Sequence, residues 1–355
     1  MKRNYYIFSN TIIKRQCNTL VFETGDWKEL DINEQEMLLS QGLKDKFDTK
    51  TNKKYIPIND IESLYIFGEV RFNSKFLNFL TKNNIPFHLF NYYGYYSGSF
   101  YPRDYLYSGK LLIKQVENCI DLNKRLYIAQ EIIDSTCHNT LKNLKYYSDK
   151  NSNEINKKIK IIEKLRLKIK TSTTINELMA FEANIKKNYY DCWKFIIKPE
   201  INFKKRIKNP PDNMINTLIS FGNMMCYSSC LTEIFHSQLN PTISYLHEPQ
   251  DRRFSLSLDI AEIFKPIFVD RIIFKLLNNK ILQEKDFTKE LNFCLMNEKA
   301  KQKFVEEWDE KLKTTIFHKK LKKQVSYRRL IRLECYKLIK HLIEDEKYEG
   351  LKIYW

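Results

Sequence analysis

The spacing of hydrophobic residues changes character near residue 100 of this chain. Before that point, apolar residues alternate or come in short runs rich in Tyr, Ile, Phe, Thr and Val, as strands favour. This pattern predicts strands at YYIFS, TIIKRQ and NTLVFE, and then at KKYIPI, ESLYIFG and IPFHLF. NSKFLNFLT predicts a short helix, NYYGYYSGSFYP predicts a Gly-Tyr hairpin, and polar residues 24–52 predict a loop or an irregular insertion.

After about residue 104 the hydrophobic positions follow a helical period almost without interruption. Tyr101-Pro102 and the glycines before it mark the boundary. We therefore predict an α+β protein with a small N-terminal β-rich domain at 1–98, a linker at 99–104 and a larger all-α-helical domain at 105–355. Helices are expected at about 105–119, 122–148, 153–170, 174–197, 213–237, 255–278, 286–295, 298–312 and 326–344.

Charge and cysteine content narrow the class of protein. The formal net charge of the 355 residues is +17, which favours polyanion partners. A generally lysine-rich proteome would explain the same balance. The eight cysteines include no CxxC pair, which indicates reduced intracellular thiols. Charges interrupt every apolar run before it reaches membrane-spanning length, so we expect a cytoplasmic protein with no membrane segment.

Residues 241–271 contain the strongest candidate for an active site. His247 follows an apolar Tyr-Leu pair, and a predicted helix then places Asp259, Glu262 and Lys265 at i, i+3 and i+6, on one ridge. Pro266 has no N–H group, so the carbonyl of Glu262 loses its helical donor and the helix should kink. An imidazole, two carboxylates and an amine beside a kink are more than a solvated helix face requires.

Glu182 is a second notable carboxylate, because it falls within the apolar stripe of its predicted helix. A buried carboxylate is costly unless it is paired, hydrogen-bonded or bound to metal, so an ion pair with a nearby Lys or Arg is one explanation. The other is a divalent cation held by Glu182, His247 and Glu262, with open positions for water and a phosphate oxygen. Such a cation could activate a hydroxyl nucleophile, and Lys265 could offset phosphate charge. His247 could equally be a satisfied histidine at a helix entrance.

Other chemistries find little support in the sequence. Histidines 88, 138, 236, 318 and 341 are interpreted as structural or solvated. Cys226 and Cys230 lie at i and i+4, but a zinc site would need a fourth ligand at a recognised spacing, so core packing is preferred. The chain has no Gly-rich phosphate loop and no nucleophile elbow, which argues against nucleotide hydrolysis and serine-esterase chemistry.

Two basic runs bear on the substrate. Residues 141–170 contain ten Lys and Arg against three acids, and residues 311–332 contain nine with no acid and with interleaved aromatics. Such ladders suit phosphate backbones, and the aromatics could stack on bases. The first run could also be an ordinary solvated face. We predict contacts to nucleic acid from Arg252, Arg253, Lys319, Lys320, Lys322, Lys323, Arg328 and Arg329.

Several segments together resemble a known family, the CRISPR-associated adaptation integrases and endonucleases ("Cas-one"). The likeness is carried by FEANIKKNYY, NPPDNMINTLISFGNMM, QLNPTISYLHEP and SLSLDIAEIFKPIFVDR, in the family's order. The segment EVRFNSKFLNFLTKNNIPFHLFNYYGYYSG and the C-terminal VSYRRLIRLECYKLIKHLI are also similar. Ala183 and Ser244 replace common glycines, and Phe221 replaces a usual tyrosine, which puts any role of that hydroxyl in doubt.

The resemblance implies a metal site at Glu182, His247 and Glu262 that binds Mg²⁺ or Mn²⁺, a supporting acid at Asp259 and a catalytically important lysine at Lys265. It implies a homodimer formed through the β domains, and a complex with the small "Cas-two" protein. It also implies insertion of short captured double-stranded DNA into the CRISPR array at the leader–repeat boundary, by attack of a 3′-hydroxyl on a phosphodiester. The alternatives are a general metal-dependent nuclease acting on branched DNA in repair and a non-catalytic DNA-binding scaffold.

Overall fold

The computed structural model divides into two compact units, Met1–Asp104 and Tyr105–Trp355. The residues that it describes are 2–24, 52–91, 93–103, 106, 108–148, 153–198, 203, 205–208, 210–250, 254–290 and 293–354. The loop or insertion expected at 24–52 therefore lies, apart from its two end residues, outside the described residues.

The N-terminal unit is rich in strands, as the alternating pattern predicted. Its described strands form a mixed sheet in the order β1-β5-β7-β8 and a second sheet in the order β4-β3-β2-β6. Strand β6 has two residues, which are too few for an alternating pattern to reveal. The elements are β1 Arg3–Ile7, β2 Thr11–Gln16, β3 Thr19–Thr24, β4 Asn52–Pro57, a 3₁₀ turn Ile58–Asp60, β5 Ile61–Ile66, β6 Val70–Arg71, α1 Ser74–Lys82, β7 Phe87–Phe90 and β8 Tyr96–Phe100.

Helix α1 closes one side of the core of this unit. The side-chain oxygen of Asn73 accepts a hydrogen bond from the Phe76 amide at 3.2 Å, which caps the first turn. The helix buries Phe76, Phe79 and Leu80 in one core with Ile13, Leu20, Ile61 and Leu64 of the strands, among others. Burial of this apolar surface is what holds the unit together.

The C-terminal unit is largely helical, so the α+β class is confirmed. The apolar period of 3.6 located its main helices to within a few residues. They are α2 Gly109–Ile120, α3 Leu122–Tyr147, α4 Asn153–Ile169, α5 Ile175–Asp191, α6 Trp193–Ile196, α7 Met214–Phe235, α8 Ser255–Phe264, α9 Arg271–Asn278, α10 Glu298–Lys313 and α11 Tyr327–Leu342.

The helix predicted at 286–295 was wrong, because the chain forms a hairpin there. A 3₁₀ turn at Glu284–Asp286 leads into β9 Phe287–Glu290, which pairs antiparallel with β10 Phe293–Met296. Cys294 and Met296 are buried and their neighbours less so, which is the period of two of a strand. A second hairpin joins β11 Thr315–His318 to β12 Lys323–Ser326. The expectation of an all-α-helical domain is corrected to a helical domain that carries two hairpins in its described part.

Pro266 interrupts the helix that begins at Ser255, at the expected place. A π-helical turn, Pro266–Asp270, separates α8 from α9, and the amide of Asp270 donates to the carbonyl of Lys265 at 3.2 Å. Asn143 of α3 donates to the carbonyl of Pro266 at 2.6 Å. Helix α7 packs close to this turn at Gly222, where an added Cβ would lie 2.5 Å from a methyl of Val269. In the described part of the chain, no helix is long and apolar enough to cross a membrane.

Candidate metal-dependent active site

The carboxylate of Asp259 organises the His247 side of the site. Asp259 is fully buried in α8 and accepts hydrogen bonds from the amides of Tyr245 at 2.7 Å and Leu246 at 3.0 Å. Its other oxygen accepts from the amide of His247 at 3.0 Å and lies 2.8 Å from Nδ1 of the same residue. One side chain therefore fixes three consecutive backbone groups and an imidazole.

The contact with Asp259 also determines which ring nitrogen of His247 is available to a ligand. A carboxylate only accepts hydrogen bonds, so Nδ1 donates to Asp259, and in the neutral imidazole the lone pair is then on Nε2. A histidine that binds metal usually has this arrangement, with the second nitrogen held by a carboxylate. The side chain of His247 is 21% exposed, so a ligand can reach it.

The loop before His247 is braced from a second direction. Arg125 of α3 donates through Nε to the carbonyl of Tyr245 at 2.9 Å and pairs with Glu248 at 2.7 Å. The hydroxyl of Ser244 donates to the carbonyl of His247 at 2.7 Å. The hydroxyl of Ser244 therefore supports the loop.

Glu262 lies between two ammonium groups. Lys265 approaches one carboxylate oxygen at 2.5 Å, and Lys186 of α5 donates to the other at 3.0 Å. Burial opposes ionisation of Glu262, but the charges of Lys186 and Lys265 outweigh burial and hold its pKa below the usual range. The carboxylate is therefore charged at neutral pH although it is buried.

Glu182 is linked to Glu262 through the same lysine. The ammonium of Lys186, one turn after Glu182 on α5, forms ion pairs with both carboxylates. The buried ion pair that the sequence offered as an alternative for Glu182 is thus present. It also joins Glu182 to the proposed site, because one cation already contacts both carboxylates.

Lys265 is the less exposed of the two lysines. Its ammonium lies 4.7 Å from the centre of the Tyr227 ring, and the side chain is 12% exposed. Burial lowers the pKa of Lys265, but the charge of Glu262 outweighs burial, and the net shift is upward.

A further buried carboxyl group supports the π turn. Asp270 accepts a hydrogen bond from the hydroxyl of Tyr189 at 2.9 Å, and Asn143 donates to the same hydroxyl at 3.3 Å. Burial raises the pKa of Asp270 to about 7, against the smaller opposing effects of Tyr189 and Lys265. Sequence reasoning missed Lys186 and Asp270. The i, i+4 spacing of Glu182 and Lys186 was the available signal for the first.

The donor set of the site suits a divalent cation. Carboxylate oxygens are ligands that suit both Mg²⁺ and Mn²⁺, and Mn²⁺ also accepts an imidazole nitrogen. No group of three or more His, Cys, Asp and Glu side chains among the described residues is arranged to hold a metal ion as it stands. At the proposed site the ammonium of Lys186 pairs with both Glu182 and Glu262.

The basic residues of 311–332 fall into two groups. Arg332 forms a buried ion pair with Glu233 at 2.5 Å and is structural. The hairpin β11–β12 and the start of α11 carry the residues predicted to bind nucleic acid: Lys319, Lys320, Lys322, Lys323 and Arg329 are exposed and Arg328 is partly exposed. Arg252 and Arg253 lie outside the described residues.

The run 141–170 makes more internal ion pairs. Arg166 pairs with Asp134 at 2.6 Å, Lys158 with Asp191 at 2.6 Å and Lys145 with Glu163 at 2.6 Å. Much of its charge is therefore balanced by carboxylates of the protein, which favours the interpretation as an ordinary helix surface.

The chain matches the family model described as CRISPR associated protein Cas1 over residues 5–310. It is 44% identical over 355 residues to the CRISPR-associated endonuclease Cas1 of Fusobacterium nucleatum, a match that covers 100% of this chain and 98% of the relative. This chain belongs to the Cas1 family. A Cas1 protein from Thermotoga maritima has the same fold, with a TM-score of 0.81 and 36% identity over 99% of this chain and 100% of that chain.

Two more distant structures share the Cas1 fold. A casposase bound to integration product superposes with a TM-score of 0.80 at 18% identity, over 98% of this chain and 92% of that chain. A chain of a Cas6-RT-Cas1–Cas2 complex superposes with a TM-score of 0.79 at 17% identity, over 100% of this chain and 36% of that longer chain. At these identities the likeness concerns the fold alone.

Proposed function

We propose that this Cas1 protein is a metal-dependent DNA endonuclease and integrase of CRISPR adaptation, a cytoplasmic antiviral defence. It inserts short captured DNA segments into the CRISPR array. The observation that carries the proposal is that Glu182 and Glu262 both pair with the ammonium of Lys186, next to the imidazole of His247. Asp259 holds Nδ1 of that imidazole and so orients Nε2 for a ligand. Relatives named endonucleases and the casposase solved with its integration product support the reaction class.

In the proposed reaction, the 3′-hydroxyl of the incoming strand attacks a phosphodiester at the leader–repeat boundary. A new P–O bond forms to that oxygen, the bond to the displaced 3′-oxygen breaks, and the proton of the attacking hydroxyl ends on the leaving oxygen. Bound Mg²⁺ or Mn²⁺ would supply Lewis-acid stabilisation of the phosphate and a more acidic hydroxyl. Hydrolysis follows the same course with water as the nucleophile.

The residues of the chain have separate tasks in this scheme. Glu182, His247 and Glu262 would hold the cation, and Asp259 keeps the imidazole in the tautomer that can bind it. Lys265, buried against Tyr227, places a fixed positive charge beside Glu262, where it can offset charge on the phosphate.

The remaining surfaces would hold the DNA and the partner proteins. The exposed lysines of the β11–β12 hairpin, Arg328, Arg329, Arg252 and Arg253 are proposed to contact phosphates. Residues 1–98 are proposed to form the homodimer interface, residues 99–104 the linker and 105–355 the catalytic domain. The Tyr-rich β domain, in which Tyr55, Tyr93 and Tyr95 are exposed, would meet the duplex end. Two dimers would flank a dimer of the small Cas2 protein, and the fold likeness to a chain of a complex with Cas2 supports this partner.

The test is strand transfer of a labelled short duplex into a supercoiled leader–repeat plasmid, with purified Cas2 protein and with Mn²⁺ or EDTA. Wild type is compared with His247→Ala and Glu262→Gln, and Glu163→Gln on the surface of α4 is the matched control. Metal-dependent transfer that only the two site variants abolish is the expected result. Unchanged transfer in both would place the site elsewhere. Cleavage of branched DNA without transfer would favour the repair nuclease. A protein that shows no transfer, no cleavage and no metal binding would favour the scaffold.

A further inference from the structure

Lys186 occupies the position that the proposed cation needs. Its ammonium contacts one oxygen of Glu182 and one of Glu262, while Lys265 takes the other oxygen of Glu262. Both oxygens of Glu262 are thus already engaged by positive charges. A divalent cation between the two carboxylates would have to replace at least one of them.

Electrostatics explains why a lysine is there in the first place. Glu182 and Glu262 are both buried, and two carboxylates that approach within reach of one ammonium repel each other strongly in such surroundings. An ammonium between them removes the repulsion and satisfies lone pairs of both. A metal ion and an ammonium cannot share this position, because they would repel each other at contact distance.

Of the two lysines, Lys186 is the more exposed to solvent. Lys265 is only 12% exposed and is held over the ring of Tyr227, whereas the side chain of Lys186 is 34% exposed. The four-carbon stem of Lys186 is flexible, and its ammonium is readily solvated once it turns outward. Lys186 therefore has the shorter way into solvent, and its departure breaks its ion pairs with both carboxylates, which the incoming cation replaces.

We propose that Lys186 is a resident counter-cation of the Cas1 active site: its ammonium holds Glu182 and Glu262 together in the metal-free protein and withdraws when the divalent cation binds. The inference rests on the proposed function only in that the incoming ion is a divalent metal. It makes Lys186 a positioning residue that preserves the shape of the empty site and lowers its apparent metal affinity.

The first test measures Mn²⁺ affinity of the full-length protein by electron paramagnetic resonance of free Mn²⁺. Lys186→Met removes the competing charge, and Lys187→Met, at the exposed neighbouring position, is the matched control. We expect Lys186→Met to bind Mn²⁺ about tenfold more tightly than wild type, which corresponds to a charged contact of roughly 1.4 kcal/mol, and the control to change little. Equal affinity in Lys186→Met and wild type, or weaker affinity in Lys186→Met, would overturn the inference while leaving the proposed function intact.

The second test uses the wild-type protein and so does not depend on the folding of a variant. A short pulse of acetic anhydride is applied with EDTA or with saturating Mn²⁺, and acetylation is quantified by mass spectrometry. An ammonium paired with two carboxylates acylates slowly, so Mn²⁺ should raise labelling of Lys186 several-fold while Lys187 stays unchanged. Labelling of Lys186 that is insensitive to bound Mn²⁺ would contradict release of the side chain. If wild type and Lys186→Met both fail to bind Mn²⁺, the metal site of the proposed function fails, and this inference fails with it.

Discussion

The two sides of the candidate site are held in different ways. On the His247 side, backbone amides and an imidazole surround the buried carboxylate of Asp259, so the geometry depends on hydrogen bonds within one loop and one helix. On the other side, Glu182 and Glu262 belong to different helices and meet only through the ammonium of Lys186. The first side is complete without a ligand, whereas the second depends on a charge that can be exchanged.

If the site binds metal as proposed, this difference lets the protein stay folded without the ion and still accept it. A hydrogen-bonded loop presents one ligand in a fixed orientation, which reduces the ordering that binding requires. Paired carboxylates need a cation at all times, because an unpaired buried charge is costly. Substitutions on the two sides should therefore differ in how they affect stability and activity.

The largest effects are expected from His247→Ala and Glu262→Gln, which should each lower strand transfer on the order of a thousandfold, since a catalytic metal supplies several kcal/mol. Only Glu262→Gln should also lower the melting temperature in EDTA, because it leaves the ammonium groups of Lys186 and Lys265 without their shared carboxylate. His247→Ala keeps the amide contacts of Asp259. Strand-transfer rates and thermal melts of both variants check this, and equal melting temperatures would remove the distinction between the two sides.

Asp259→Asn should lower the free energy of unfolding by about 3 kcal/mol, because it disrupts the hydrogen bonds on the His247 side. An amide cannot accept all the donors that the carboxylate serves, and its NH₂ group would face an N–H. Because the loop that carries His247 loses its support, Mn²⁺ should not restore stability. Urea unfolding with and without Mn²⁺ measures this; full rescue by the metal would show that the loop is held by the ion and not by Asp259.

Lys186→Met should have the opposite dependence on metal. In EDTA we expect a loss of roughly 1–2 kcal/mol, discounted for the partial exposure of the side chain, since two carboxylates are left to repel each other. Saturating Mn²⁺ should return the variant to wild-type stability or above it. Thermal unfolding beside Lys187→Met measures both states, and a loss that persists with bound Mn²⁺ would mean that Lys186 has another structural role.

A further effect concerns pH and the π turn. Asp270 is hydrogen-bonded to Tyr189, and its pKa is raised from an ordinary value of 3.8 to about 7. Its contribution to stability is complete below the unfolded pKa and is lost as pH rises through about 7, because the folded protein must then ionise a buried carboxyl group. Asp270→Asn should remove this loss, so the melting temperature of wild type should fall by a few degrees relative to the variant between pH 5 and 8. Parallel melting curves would contradict the assignment.

The sequence predicted the elements better than it predicted their contacts. Helical periods and the position of Pro266 located α8 and its interruption, because both depend on local spacing. The hairpin at 287–296 escaped prediction, since short apolar runs suit a helix or a strand until the neighbouring chain decides, here through the bond from the Cys294 amide to the carbonyl of Pro211 at 2.8 Å.

The candidate site shows the same limit. Asp259, Glu262 and Lys265 share a ridge that the sequence reveals, but the meeting of Glu182 with Glu262 depends on the packing of α5 against the rest of the domain. The i, i+4 spacing could have assigned Lys186 to Glu182, but no local spacing predicts the second contact of Lys186, with Glu262. Likewise, nothing local signals the burial that raises the pKa of Asp270.

We propose that Glu182, Glu262 and His247 receive a divalent cation in the place now taken by an ammonium. A crystal of the full-length protein soaked in Mn²⁺, with diffraction measured where manganese scatters anomalously, tests this. We expect an anomalous peak between the two carboxylates and Nε2 of His247, with the side chain of Lys186 turned out of the site. A peak bound elsewhere, or a site in which Lys186 still bridges Glu182 and Glu262 at saturating Mn²⁺, would contradict it.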